Sequence, residues 1–176
     1  LYASAVLNAS YAQSLFPVPY HEAQLSFDAS RLKAWYAFLQ DRGTLGVYLR
    51  TQHIDFLFIA SVLWLHAAAL LLLSRLFAPG SRARRWVVVA ALLSALAPMF
   101  DALENLVSYV MLADPQGFAD GLALVYSSLA AAKFTAFTAT YLVAALALLL
   151  GLAFKARGRW QSRPTTHARA HVNIAP

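Results

Sequence analysis

A chain of 176 residues that is 60% hydrophobic and 12% charged has length for one domain but carries only about half the charged fraction of a soluble one. The absence of cysteine removes disulfides, thiolate metal sites, covalent c-type haem attachment and cysteine nucleophiles from consideration. The net charge of +6 raises nucleic acid as a partner. However, the basic residues gather in one short loop and the tail, without the interleaved aromatic and basic residues of a binding face, so none is expected.

In chain order, Leu1 to Phe16 is apolar and rich in small residues. It reads as the outer end of a membrane helix; the alternative is a mature N-terminus just beyond a removed signal peptide. Pro17 and Pro19 then impose a rigid, extended approach. A helix is predicted over 29–42, with Asp28 as N-cap and Gly43 as its stop. Leu32, Trp35, Tyr36 and Leu39 recur at helical spacing and form one stripe, with Arg31, Lys33 and Asp41 off it. Such a helix suits the membrane surface or a cap on a bundle, with Trp35 and Leu39 buried and Arg31 and Lys33 in water.

Three segments meet the length of about 20 apolar residues that a spanning helix needs. They are Phe56 to Phe77, interrupted by His66 and Arg75; Trp86 to Leu112; and Leu122 to Phe154. The last exceeds one crossing and should tilt or project. The loop between the first two holds Arg75, Arg82, Arg84 and Arg85, and the tail holds Lys155, Arg157, Arg159, Arg163 and Arg169. The loop from Ala113 to Gly121 holds only Asp114 and Asp120. Basic flanks mark the cytoplasmic side. The N-terminal region is therefore expected outside and the C-terminus cytoplasmic; the membrane itself is expected to be a bacterial inner membrane. Trp86, Tyr109 and Trp160 near span ends read as interfacial anchors. The expected fold is an all-α polytopic membrane helix bundle with three transmembrane helices and a possible fourth before Leu1. Residues 1–55 form an outer segment, 56–154 the bundle and 155–176 a basic tail, either flexible or a partner-binding arm.

The most informative residues are polar ones inside the spans. Asp101, Glu104, Asn105 and Ser108 share one face of the second span. Lys133 stands in the third, near Thr135, Thr138 and Thr140, and His66 in the first, with His53 and Asp55 at its mouth. At 1.5 Å per residue, Asp101, Lys133 and His66 are expected at similar depths, about 15–16 Å from the outer ends. An isolated charge there costs on the order of 3 kcal/mol even on lenient scales, so these groups should face the interior. Pro98, one turn before Asp101, cannot donate to the Ser94 carbonyl and should kink the helix.

Besides packing against a lipid or pigment, two arrangements fit these residues. In one, Asp101 and Lys133 form a structural ion pair, with Asn105 and the threonines absorbing the remaining hydrogen bonds. In the other, Asp101, Glu104 and Lys133 are the catalytic candidates, a carboxyl moving a proton while the ammonium stabilises charge. Asn105, His66, Ser108 and Asp55 are then the ligand-binding candidates. The sequence lacks HExxH, a phosphate-cradling loop and a nucleophile elbow. His66 with two carboxylates would hold a metal only if the helix rotations bring His66 and Glu104 together, which the sequence does not establish, so no metal is expected. The sequence identifies no cofactor. The segment DRGTLGVYLRTQHID, Asp41 to Asp55, and FDALENL in the second span resemble uncharacterised bacterial multi-span proteins. Those carry a Gly-Arg/Tyr/Asp segment before one span and Asp-x-x-Glu-Asn in the next. The order Arg42-Gly43 departs from that pattern, and the resemblance implies no activity.

The expected partners are the lipid bilayer and other membrane subunits, because Ala130 to Ala132 and Ala139 invite close helix contact. The leading functional expectation is an accessory or structural subunit of a larger membrane complex. The alternative is a small membrane enzyme or carrier acting on a lipophilic substrate or protons through Asp101, Glu104 and Lys133. A cavity reaching the carboxylates favours the latter, and a sealed Asp101–Lys133 contact the former.

Overall fold

The computed structural model describes the backbone of residues 2–161 and side chains through Arg157. The expectation for the tail beyond Gln161, and for the Trp160 side chain, lies outside these described residues. Within them the chain is an all-α membrane helix bundle. Its helices are α1 (Tyr2–Gln13), α2 (Tyr20–Gln24), α3 (Ala29–Asp41), α4 (Leu45–Ser74), α5 (Arg82–Leu93), α6 (Leu96–Ala113) and α7 (Gly121–Gln161). Three stretches are long and apolar enough to cross a membrane: α4, α5 with α6, and α7.

The α3 boundaries follow from capping chemistry. The Asp28 carboxylate accepts from the Ser30 and Arg31 backbone N–H groups at 2.9 and 3.2 Å, satisfying two of the donors a helix start leaves free. At the other end Gly43 adopts φ +67°, which lets Thr44 N–H reach the Leu39 carbonyl and Gly43 N–H reach that of Gln40. The apolar stripe then does what its spacing predicts. Leu32, Tyr36 and Leu39 are buried and Trp35 is half-buried, so α3 caps one end of the bundle. Arg31 is exposed, but Lys33 is not simply in water: its ammonium meets Asp120 at 2.7 Å and lies 4.9 Å over the Phe118 ring.

Two departures from sequence expectation bear on where the buried charges sit. The first span begins at Leu45, not Phe56, so the polar stretch Arg50–Asp55 is already helical. The second span breaks where Pro98 requires. The Ser94 carbonyl has no donor from Pro98, the chain turns at Ser94–Ala95, and the Ser94 hydroxyl bonds back to the Ala91 carbonyl at 2.8 Å.

The bundle is layered along its length. At the α3 end, Leu32, Tyr36, Tyr48, Met111, Phe118 and Tyr126 form an aromatic-rich core. At the far end, Leu70, Phe77, Val87, Ala91 and Ala147 form a mainly aliphatic one. There Gly151 lets α7 approach the turn after α4 closely: a Cβ at this position would stand 2.6 Å from that of Leu76. The layer between the two cores is polar.

Candidate functional site

The polar layer draws one side chain or more from each of α2, α4, α6 and α7. Its depth follows from helix rise. Asp55 lies about 15 Å into α4, Asp101 and Glu104 about 18 and 14 Å from the end of α6, and Lys133 about 18 Å into α7. Earlier initiation of α4 puts Asp55, rather than His66, level with the other charges. His66 lies about 32 Å along α4. It sits against the edges of Phe137 and Tyr141, at 5.6 and 5.2 Å, away from the cluster.

Lys133 is the centre of the arrangement. Its Nζ donates to Asp101 Oδ1 at 2.8 Å and stands 2.6 Å from Glu104 Oε2. Both carboxylates therefore engage the ammonium directly. The ammonium also lies 5.2 Å from the Phe134 ring centroid and 5.5 Å from that of Tyr20, an additional favourable electrostatic contact. Asp101 and Glu104 reach the same ammonium because they are three residues apart on one helix face. Asp55 Oδ2 completes the layer, accepting from Asn105 Nδ2 at 2.8 Å and from the Tyr20 hydroxyl at 3.1 Å. Glu104 and Asn105 are 0% exposed, Asp55 and Lys133 2% and Asp101 3%. Three carboxylates thus face one ammonium in a nearly dry environment.

Two of the participating side chains were not identified from sequence. α2 inserts beside the polar layer, where Gln24 Nε2 donates to Glu104 Oε1 at 2.5 Å and Tyr20 donates to Asp55. Burial, followed by the adjacent Asp55 carboxylate, holds the Tyr20 phenol well above its ordinary pKa, so it remains a donor. The only sequence signal was the i, i+4 spacing of Tyr20 and Gln24 just after Pro19, too short a pattern to establish a periodicity. The segment is held by strained backbone at both flanks. Leu15 and Phe27 take φ +57° and +51°, each costing about 1–3 kcal/mol for a non-glycine residue. Phe27 N–H donates to the Ser127 hydroxyl at 3.0 Å, which fixes the second flank to α7.

The other expected participants fall outside the cluster. Thr135, Thr138 and Thr140 bond to the Ala131, Phe134 and Ala136 carbonyls of their own helix, so they leave the carboxylates to Asn105, Tyr20 and Gln24. Ser108 is fully buried one turn beyond Glu104, beside the Tyr36 phenol. Among the described residues no group of three His, Asp or Glu is arranged to hold a metal ion.

A half-open cavity of about 430 Å³ lies between α1, α4 and α7 and ends at this layer. Its walls include Leu7, Phe58, Val62, Phe134, Phe137 and Tyr141, and its polar end presents Asp55, Asp101 and Lys133. Glu104 is not part of the lining. The Asp101–Lys133 contact is therefore formed and also accessible from one side, while Glu104 is closed off beneath Gln24. No protein-family model matches the chain, and neither curated proteins nor solved structures give a match.

This geometry predicts an order of carboxyl reactivity. Dicyclohexylcarbodiimide, a lipophilic carboxyl reagent, should modify Asp55 or Asp101 in membranes and leave Glu104 untouched, as read by peptide mass mapping. Gln24→Ala should add Glu104 to the modified set. Modification of Glu104 first in the unaltered protein would contradict the arrangement.

Proposed function

We propose that this chain is a membrane carrier or binding protein for an amphipathic lipophilic molecule. The ligand's apolar part occupies the α1–α4–α7 cavity and its polar end meets Asp55, Asp101 and Lys133. The observation that carries the reading is the cavity: mostly apolar and aromatic in lining, with Ser4, Asn8 and Thr138 among its walls, carrying the charged groups Asp55, Asp101 and Lys133, and of the size of a small-molecule site. Buried charges in a membrane bundle are expensive and commonly mark a ligand or ion path. An ion pair needed only for helix register has no use for an adjoining space. Within this reading Asp55 and Asp101 are the carboxyls available to exchange protons with a ligand, and Glu104 is a positioning residue that holds Lys133.

A second reading, an accessory subunit of a larger membrane complex, is favoured by one separate feature. Ala136, Ala139 and Val143 of α7 line an open groove facing Leu93, Ser94 and Leu96 at the helix break, where a neighbouring helix could approach closely. Ala130, by contrast, is already buried within the chain. The two readings are compatible, since a subunit can also carry a ligand.

The orientation proposed for either reading puts Arg75–Arg85 and the segment after Lys155 in the cytoplasm of a bacterial cell. The contact of Lys33 with Asp120 supports placing α3 and the acidic loop on the same side of the membrane. A cysteine introduced in 113–121 should then label from outside intact cells and one beside Arg82 should not; the reverse pattern would overturn the orientation.

Filling the cavity tests the ligand reading. Val62→Phe combined with Thr138→Phe should leave the melting temperature nearly unchanged and remove a copurifying amphiphile detected by native mass spectrometry. Retention of the same molecule by the filled variant would show that it binds elsewhere.

A further inference from the structure

The charge balance of the polar layer is not neutral. Asp55, Asp101 and Glu104 face Lys133 alone, and Lys133 is already engaged by Asp101 and Glu104. No ion pair among the described residues reaches Asp55. Both of the protein donors to Asp55, Tyr20 and Asn105, fall on the same oxygen, Oδ2, so Oδ1 remains for another partner. Asp55 is 2% exposed yet lines the cavity. An anionic ligand would meet two carboxylates and an ammonium whose charge is spent. A neutral one would leave the Asp55 charge uncompensated in an apolar medium.

The walls bear on the same question. Phe134 and Tyr20 present their faces to the Lys133 ammonium. Phe58, Phe137 and Tyr141 also line the cavity, and the last two are stacked at 6.3 Å with 15° between their planes. A space lined by aromatic rings and ending on a carboxylate without an ion-pair partner among the described residues suits a weakly hydrated organic cation, which the carboxylate holds and the apolar rings keep from water. A proton would neutralise Asp55 equally well, but a proton needs no aromatic walls and no space.

We infer that the ligand of this cavity is a lipophilic cation, an amine or quaternary ammonium on an apolar body, whose charged end is seated against Asp55. This rests on the cavity being a ligand site, and adds the sign of the ligand's charge.

Three probes sharing one apolar body separate the two claims: diphenylhexatriene, its trimethylammonium derivative and its propionate. Each is titrated into the full chain in nanodiscs of zwitterionic lipid, reading energy transfer from tryptophan. The signal of the Val62→Phe, Thr138→Phe protein is subtracted as the contribution of lipid partitioning. The trimethylammonium probe should saturate at a concentration about tenfold or more below the other two. Asp55→Asn should bring it to the level of the neutral probe, while Asp55→Glu retains the preference. Equal or tighter binding of the neutral or anionic probe overturns the cation inference and leaves the ligand site standing. No saturable difference between the unaltered and filled proteins overturns the ligand site and this inference with it. Should Asp55→Asn fail to fold, the comparison among probes on the unaltered protein decides alone.

Discussion

An ammonium in the middle of a membrane bundle must find negative charge or be expelled, and Lys133 organises the molecule around that requirement. Desolvating an ion costs several kcal/mol even after relaxation, and only close, well-formed contacts offset it. Lys133 obtains them from Asp101 and Glu104, one turn apart on α6. This fixes the rotation of α6 against α7, since turning either helix would point a charge at lipid. The helix break at Ser94–Ala95 separates this constrained segment from α5. The far end can thereby pack on apolar contacts, through Phe77, Val87, Ala91 and Ala147.

Bringing two carboxylates to one lysine creates the next problem, because a third carboxylate, Asp55, stands at the same level. Asn105 and Tyr20 answer it with hydrogen bonds, and Gln24 does the same for Glu104. That explains why a five-residue helix, too short to be stable in isolation, is anchored here despite left-handed residues on both sides. Polar contacts to buried carboxylates are charge-assisted and stronger than ordinary hydrogen bonds. α2 therefore acts as a wedge that covers Glu104 while leaving the side facing α1 and α4 open. The cavity is a consequence of where that cover stops.

The bundle itself was legible from hydropathy, because a spanning helix must satisfy its backbone internally and advertise a long apolar run. The α3 caps were legible because Asp28 and Gly43 each do one local job. The face shared by Asp101, Glu104 and Asn105 was legible from helical spacing, and its meeting with Lys133 from depth. The start of α4 was not, since Arg50, Gln52 and Asp55 read as the end of a polar segment; Gln52 and Asp55 are instead buried against neighbouring elements. That error moved His66 into the cluster and left Asp55 at its edge. Tyr20 and Gln24 were hidden for a different reason: their role depends on a chain reversal at Leu15 and Phe27 that no periodicity encodes.

The polar layer stands or falls on Lys133 bridging both α6 carboxylates. Two double-mutant cycles test that bridge most directly, pairing Lys133→Met with Asp101→Asn and with Glu104→Gln, each measured by denaturant melting of the detergent-solubilised protein. Both cycles should return coupling of about 1–3 kcal/mol, in the range found for residues sharing one charged network. Coupling near zero in both would mean that the ammonium does not meet these carboxylates, and the polar layer would lose its centre.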